Sequence, residues 1–299
     1  MLPIQIQSPA DVAAVEAAAQ RIDTVCAGAN IRWHRWGSGA QTTLLLHGGA
    51  GSWTHWVRNI GALVDAGRCV LAPDLPGFGA SERPVTGEDA DAIAPLIEDG
   101  LQQLIGDAAC DVVAFSFGGI VASFLAAAQP RRLRQLVLAG APALSVEPVS
   151  RLGLRQWVHL PAGEERNRLH RYNLRQMMLA RDESVDELVV WLHDTNIVRD
   201  RMPRRRLAHT DAIWQLLPRI GCPLSGIWGG ADRLYEGRMG LIDDALQRAP
   251  DFRSLAMLPG AGHWVQFEDA AAFNETLAAT LAAGAPIQSA SNAAAAPKA

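Results

Sequence analysis

The chain has 299 residues, with 27 basic and 31 acidic side chains and a formal net charge of −4. Hydrophobic residues make up 49% and charged residues 19%, a composition typical of a folded soluble protein that excludes intrinsic disorder. The mild acidity argues against a nucleic-acid-binding surface and a cationic membrane-surface protein. Lys298 is the only lysine, and its place beside the C-terminus excludes Schiff-base and pyridoxal-phosphate chemistry.

The predicted elements begin with a short helix over residues 9–23 and two strands within residues 24–38. Strands and helices then alternate, with strands at 42–48, 68–75, 110–116 and 133–140 and helices at 53–65, 89–105 and 118–129. Residues 112–130 carry no charge, but the serine and glycines at their centre indicate a strand, a sharp turn and a helix and not a membrane span. Two more strand–helix pairs follow, with strands at 222–230 and 252–258 and helices at 238–248 and 269–282.

This alternation predicts an α/β fold with a mostly parallel central sheet flanked by helices. Residues 142–212 interrupt it after the sixth strand and predict helices without a strand. They are therefore expected to form a helical cap, or lid, over the carboxyl edge of the sheet, where such sheets bind ligands. The core would comprise residues 1–141 and 213–284, and the low-complexity tail 285–299 is expected to be disordered.

Ser116 ends a predicted strand and is followed by Phe117, Gly118, Gly119 and a predicted helix. A serine on so tight a turn projects its hydroxyl out of the sheet and needs small neighbours. The pattern for such a turn is G-x-S-x-G, and this chain has Ala114 at the first glycine position and Gly118 at the second. The pattern favours Ser116 as a nucleophile, and a helix-capping serine is the structural alternative.

A serine hydroxyl needs a base, and the base needs a carboxylate to orient it. His263 lies in a glycine-containing loop after the last strand, and Asp232 follows the preceding strand. The order Ser116, Asp232, His263 is the one expected for sheet hydrolases of this kind. Asp243 and Asp244 are weaker candidates because they fall within a predicted helix.

The residues after the first long strand are candidates for an oxyanion hole, because glycines let the backbone approach a substrate oxygen closely. We predict that the Gly49 and Phe117 N–H groups supply the donors, with Ala50 as the second choice in the loop. Gly48 and Ala50 are expected to contact substrate. His47 is interpreted as structural.

Five motifs carry a family resemblance: HGGAGS at 47–52, DLPGFGAS at 74–81, SFGG at 116–119, GGAD at 229–232 and GHW at 262–264. Together they resemble the α/β-hydrolase superfamily over residues 24–282. The resemblance implies the α/β-hydrolase fold and a serine hydrolase with a Ser-His-Asp triad.

Within that superfamily, residues 56–81 and 262–277 look most like the meta-cleavage-product hydrolases, which split a carbon–carbon bond in ring-opened aromatic catabolites. The resemblance implies that Trp264 lines the pocket and that a lid arginine binds a substrate carboxylate. The candidates for that arginine are Arg168, Arg171 and Arg175, with Arg175 and the neighbouring Met178 placed in the binding site. Two features depart from that subfamily: its usual asparagine before the nucleophile is Phe115 here, and the oxyanion loop is shorter.

These observations favour an acyl-enzyme mechanism on a small hydrophobic or aromatic carboxylic ester. Hydrolytic carbon–carbon cleavage of a vinylogous 1,5-diketo acid is the alternative, and a low-turnover ligand receptor is an alternative of another class. Several apolar residues of the predicted lid also favour a hydrophobic substrate: Trp157, Met177, Met178, Trp191 and Trp214. Packing within the lid explains these residues equally well.

No cofactor or metal is predicted, because the chain has no H-E-x-x-H motif and no metal-spaced histidine pair. Gly77 and Gly79 lack the third glycine of a dinucleotide fingerprint. The arginine cluster at 199–206 is interpreted as a solvated lid loop and not as a nucleic-acid site. The expected partners are a small hydrophobic substrate and water, with a homodimer left open. Four scattered cysteines and no secretory signal predict a cytoplasmic protein.

Overall fold

The computed structural model describes residues 2–3, 5–146 and 152–284. Residues 285–299, which the sequence predicts to be disordered, lie outside the described residues. Within residues 5–146 and 152–284, an eight-stranded sheet has the strand order β1-β2-β4-β3-β5-β6-β7-β8. Its strands are β1 (Gln20–Cys26), β2 (Ala29–Trp36), β3 (Thr42–Leu46), β4 (Cys69–Pro73), β5 (Cys110–Phe115), β6 (Leu133–Ala139), β7 (Leu224–Gly229) and β8 (Phe252–Leu258).

The sheet has the mostly parallel character that the sequence predicts. β1 pairs with β2, and β2 with β4, in antiparallel fashion, whereas the pairs from β4 through β8 are parallel. All six residues of β5 are buried, as expected for a central strand covered on both faces. Because β3 to β8 are parallel, the loops that follow them converge at one edge of the sheet.

In the part of the chain that the structure describes, ten α-helices cover the sheet or lie above its carboxyl edge: α1 (Pro9–Ala17), α2 (Ile60–Asp65), α3 (Ala90–Ile105), α4 (Phe117–Ala128), α5 (Glu164–Met177), α6 (Glu187–Ile197), α7 (Ala212–Leu216), α8 (Gly240–Leu246), α9 (Val265–Glu268) and α10 (Ala270–Ala283). Two apolar clusters fill the space between sheet and helices, one on each face. Among the described residues, no helix combines the length and hydrophobicity needed to cross a bilayer.

Two sequence-based boundaries were wrong. The helix predicted at 9–23 ends at Ala17, and β1 already starts at Gln20, because residues 20–26 pair along their whole length with β2. The helix predicted at 53–65 is split into a 3₁₀ turn at Trp53–Trp56 and α2. The Trp53 N–H donates to Asp74 Oδ1 (3.0 Å), which holds the start of that turn against the end of β4.

Between β6 and β7 the described residues form helices and turns. Helices α5 and α6 pack on each other above the carboxyl edge, in the region predicted to be the cap. Helix α7 starts at Ala212 and packs against α4 of the core. We refer to residues 152–211 as the lid.

Candidate active site

The turn after β5 holds Ser116 in a conformation that few side chains adopt. Its φ is +50° and its ψ −120°, between the last residue of β5 and the first residue of α4. The Ser116 N–H donates to Ala139 O (2.9 Å), and Ser116 O accepts from the Gly119 N–H (2.8 Å). A Cβ on Gly118 would lie 2.5 Å from His47 O, so only glycine fits there. The structure thus explains the small residues of the serine motif.

The three residues predicted to act together meet at the carboxyl edge of the sheet. His263 Nε2 lies 3.0 Å from Ser116 Oγ, and His263 Nδ1 lies 2.8 Å from Asp232 Oδ2. His263 and Asp232 are 2% and 1% exposed, so water does not compete for the bond between them. The second carboxylate oxygen, Oδ1, accepts from the Leu234 N–H (2.9 Å). This chain of hydrogen bonds can take a proton from the serine and stabilise the charge on the imidazole.

The loops that carry Asp232 and His263 are joined by their backbones. The Ala231 N–H donates to Ala261 O (2.9 Å), and the Gly230 N–H donates to Leu258 O (2.8 Å). A side chain on Gly229 would overlap Gly262 O, so glycine allows the two loops to touch. Main-chain hydrogen bonds between the two loops therefore bring Asp232 and His263 together, although these residues are 31 positions apart in the sequence.

A buried carboxylate fixes the loop of His263 to the lid. Glu268 accepts from the N–H groups of Gly262 (2.5 Å), Ala180 (2.9 Å) and Arg181 (2.8 Å). The Trp264 N–H donates to Met178 O (2.8 Å) at the same junction. The lid segment around Met178 is thus held directly against the residues that flank the imidazole.

The oxyanion candidates differ in how their N–H groups are used. Phe117 is the first residue of α4, where a backbone N–H has no acceptor within the helix and lies at the positive end of the helix dipole. Gly49 and Ala50 border the same cavity as Phe117 and Ser116, and Ala50 has a φ of +50°. The Gly48 N–H donates to His55 Nδ1 (3.2 Å). The Gly48 N–H is therefore already engaged, and the assignment of the Gly49 and Phe117 N–H groups as oxyanion donors stays a prediction.

His47 has a structural role. Its Nε2 accepts from the Leu75 N–H (2.8 Å), which ties the end of β3 to the loop after β4. Burial lowers its pKa to about 4, so the ring is neutral at pH 7 and can accept that bond.

Three residues predicted to contact substrate do not border the cavity. Gly48 packs against Phe115, where a Cβ would lie 2.9 Å from the Phe115 ring, so it serves close packing. Trp264 is 1% exposed, donates from Nε1 to His55 O (3.0 Å) and stacks on Phe267. Arg175 points to solvent, where it pairs with Asp182 (2.7 Å) on the outside of the lid. These placements correct the prediction, because sequence position alone does not show which way a side chain points.

Met178 and Ala50, by contrast, border the cavity as predicted. The cavity has a volume of about 840 Å³, and Ser116 and His263 belong to its lining. Much of its wall is apolar and comes from the lid and the loop after β6, including Val146, Leu152, Met177 and Met202.

Arg205 is a cavity residue that the sequence analysis placed on a solvated loop. Its guanidinium lies over the rings of Phe78 (4.8 Å) and Phe117 (5.2 Å). Asp200 pairs with it through two bonds, at 2.7 and 2.8 Å. Its Nη2 would be 3.3 Å from a Cβ on Gly49, so the guanidinium lies beside the loop that carries this candidate oxyanion donor. The apolar Met202 and Pro203 within the arginine cluster were the available signal of an inward-facing segment.

The remaining lid arginines are not in the cavity. Arg171 pairs with Glu164 and Glu187 on the surface, and Arg168 is exposed. Two of the aromatic residues predicted for the lid contribute to packing. Trp157 packs on His170, and Trp214, which belongs to α7 outside the lid, lies under Arg248.

The fold and this geometry agree with comparisons to known proteins. Residues 43–276 match the Alpha/beta hydrolase family, and the chain belongs to that family. It is 28% identical over 283 residues to a 2-hydroxy-6-oxo-6-phenylhexa-2,4-dienoate hydrolase of Burkholderia cepacia, covering 85% of this chain and 93% of that one. A 2-hydroxy-6-oxononadienedioate/2-hydroxy-6-oxononatrienedioate hydrolase of a Pseudomonas species is 30% identical over 261 residues, covering 80% and 87%.

A solved structure gives the same fold. The meta-cleavage product hydrolase CumD of Pseudomonas fluorescens IP01 superimposes with a TM-score of 0.72 at 21% identity, covering 88% of this chain and 98% of that one. The chain is thus an enzyme of the α/β hydrolase family, and its relatives include carbon–carbon bond hydrolases.

Proposed function

We propose that the protein is a serine hydrolase that cleaves a carbon–carbon bond in a ring-opened, carboxylate-bearing dienoate. The observation that carries the proposal is the hydrogen-bonded chain Ser116–His263–Asp232, whose serine and histidine line a cavity that Arg205 also lines. The hydrogen bonds to His263 make Ser116 an activated nucleophile. The cavity with Arg205 supplies a site for an anionic, largely apolar substrate.

In the proposed mechanism, Ser116 Oγ adds to a substrate carbonyl while His263 Nε2 takes its proton. Asp232 keeps the His263 proton on Nδ1 and stabilises the imidazolium that forms. The developing oxyanion accepts hydrogen bonds from the Gly49 and Phe117 N–H groups. Typically, removal of one such donor costs about 10²–10³ in rate.

Breaking a carbon–carbon bond requires that the departing carbon carry an electron pair away. The dienoate therefore tautomerises first: its 2-hydroxyl group loses a proton and C5 gains one, which gives a vinylogous 1,5-diketo acid with a saturated C5. In this keto form, the conjugated carbonyl beside the carboxylate accepts the electron pair when the C5–C6 bond breaks, and the proton from His263 completes the leaving enol. Water deprotonated by His263 then releases the acyl group from Ser116 as a carboxylic acid. The net reaction adds one water and yields one acid and one enol acid, and it needs no cofactor.

The binding site supports a substrate with one anionic and one apolar end. Asp200 pairs with the Nη1–Nη2 edge of the Arg205 guanidinium, so a substrate carboxylate would bind at the Nε–Nη2 edge, which lies nearest Gly49. The methionines and aliphatic residues of the wall suit a phenyl or alkyl group. Relatives in the comparison are named as hydrolases of phenyl-substituted and dicarboxylic 6-oxo-dienoates, and the proposal extends that substrate class to this chain.

Hydrolysis of an aromatic or aliphatic ester is a second candidate, and Phe115 favours it. This residue lies beside the nucleophile, and its ring packs 5.0 Å from that of His263. An apolar side chain there offers no hydrogen bond to a dienolate, whereas simple ester hydrolysis needs none.

Parallel assays separate the candidates. The purified enzyme is given 2-hydroxy-6-oxo-6-phenylhexa-2,4-dienoate and a panel of p-nitrophenyl esters in ¹⁸O-labelled water. The proposal predicts decay of the dienoate absorbance and benzoate that carries one ¹⁸O atom, both abolished in Ser116→Ala. Ester turnover with an unchanged dienoate would select the second candidate, and no turnover of either would favour a ligand receptor.

A further inference from the structure

The oxyanion loop, defined here as residues 48–54, has little rigidity of its own. It contains Gly48, Gly49 and Gly51, and Ala50 between them has a φ of +50°. Glycines leave a backbone with many accessible conformations, so a fixed position for the Gly49 N–H requires restraints from outside the loop.

Two of those restraints come from the core. His55 Nδ1 accepts from the Gly48 N–H (3.2 Å), and Asp74 Oδ1 accepts from the Trp53 N–H (3.0 Å). Burial lowers the pKa of His55 well below 6.5, so its Nδ1 stays unprotonated and able to accept.

A third restraint comes from the lid, through Asn196 at the end of α6. Its Oδ1 accepts from Ser52 Oγ (2.8 Å), and its Nδ2 donates to Thr54 Oγ1 (2.9 Å). Ser52 Oγ and Thr54 Oγ1 are themselves 2.8 Å apart, so amide and hydroxyls form a closed ring of three hydrogen bonds. The three residues are 4%, 5% and 9% exposed, and the ring is shielded from water.

The ring joins residues that are 142 to 144 positions apart in the chain, so it exists only while α6 is docked on the loop. If α6 moves away, the Ser52 and Thr54 hydroxyls can bond to water instead. The loop then keeps its two restraints from the core and loses the restraint from the lid.

We propose that Asn196 is a positioning residue that makes the geometry of the oxyanion loop depend on the docked lid. Carbonyl polarisation by the Gly49 N–H is then strongest when the lid covers the substrate and excludes water. This inference rests on the proposed function, since it presumes that Gly49 supplies a donor to the oxyanion. It adds a coupling between lid and catalytic loop, carried by one side chain.

The test compares Asn196→Ala with Asn173→Ala on a p-nitrophenyl ester and on the dienoate. Asn173 is a matched control, because it is also a buried lid amide, but both of its hydrogen bonds, to Arg155 N and O (2.8 Å each), stay within the lid. We expect Asn196→Ala to lower kcat by roughly ten- to a hundredfold with KM changed by less than about threefold, since small displacements of catalytic groups have effects of this order. Asn173→Ala should leave kcat within about threefold of the parent.

The same ring can be broken from the side of the loop by Thr54→Val, which keeps the size of the side chain. If the ring is the link, Thr54→Val and the Asn196→Ala/Thr54→Val double variant should both show the loss seen in Asn196→Ala alone. The rate at which a fluorophosphonate labels Ser116 should fall in parallel, because the phosphonyl oxygen occupies the oxyanion hole.

Three results would overturn the inference: equal kcat values in Asn196→Ala and Asn173→Ala, losses that multiply in the double variant, or an effect confined to KM. If Asn196→Ala does not fold, as judged by circular dichroism, Thr54→Val alone decides between the same outcomes. Failure of the proposed function is a separate observation, namely full turnover in Ser116→Ala.

Discussion

The replacement Asp232→Asn tests whether Asp232 orients the His263 imidazole for the proposed catalysis, with almost no change of shape. Asp232 Oδ1 accepts from the Leu234 N–H, and Oδ2 faces His263 Nδ1. An asparagine that keeps its oxygen on the Leu234 N–H must present its NH₂ group to Nδ1. The imidazole proton then resides on Nε2, which would donate to Ser116 Oγ and could no longer accept its proton.

The expected loss is large because the pair is sealed from solvent. With the two side chains 1% and 2% exposed, water cannot replace the carboxylate. A triad with the wrong tautomer loses about 10⁴ in kcat, which corresponds to about 5 kcal/mol of transition-state stabilisation.

The assay is steady-state turnover of the preferred substrate, with thermal unfolding as a check on the fold. Asp244→Asn is the control, since it makes the same exchange of a carboxylate oxygen for an NH₂ group in an exposed aspartate on α8 and should leave kcat unaltered. Turnover of Asp232→Asn within tenfold of the parent would refute the assignment of Asp232 as the orienting acid.

Three further predictions follow from the cavity, the serine turn and a partly buried lid histidine, His193. Arg205→Met should raise KM for the dienoate by roughly 10–100-fold, because a charge-assisted hydrogen bond is worth about 1.5–3 kcal/mol. The KM for a neutral ester should stay within about threefold of the parent value. Equal changes in KM for both substrates would contradict a carboxylate site. Gly118→Ala should lower the free energy of unfolding, measured with urea, by about 2–4 kcal/mol, because the new Cβ would lie 2.5 Å from His47 O. An unchanged midpoint of urea unfolding would show that the turn tolerates a side chain. Burial lowers the pKa of His193 from 6.5 to about 3, so the folded protein binds fewer protons than the unfolded chain, and this contribution to stability is full above about pH 6.5 and is lost as the pH falls toward 3. His193→Leu should therefore reduce the fall in Tm between pH 6.5 and 4, and an identical slope would exclude His193 as a source.

Much of the architecture was predictable because it depends on short-range pattern. Apolar runs such as residues 110–115 alternate with helical segments, and parallel pairing brings the ends of the strands to one edge. The chain order of Ser116, Asp232 and His263 indicated which loops carry the reacting groups, and the structure places these three side chains in hydrogen-bonding contact.

The substrate cavity was less predictable because it depends on how the lid docks. Arg175 and Arg205 both belong to lid segments rich in arginine, yet one faces solvent and the other the cavity. The difference arises from tertiary contacts, among them the Asp200 pair and the rings of Phe78 and Phe117, that leave little trace in local sequence. Trp264 shows the same limit, since one residue from the catalytic imidazole its side chain is turned into the core.

Chemical labelling of the nucleophile tests the central claim most directly. The intact protein is treated with a fluorophosphonate, digested, and mapped by mass spectrometry, alongside Ser116→Ala and His263→Ala. The account predicts a single adduct on Ser116 that is absent in the first variant and forms at least about 10³-fold more slowly in the second. An adduct on another residue, or labelling of Ser116 at an unchanged rate without the imidazole, would contradict it.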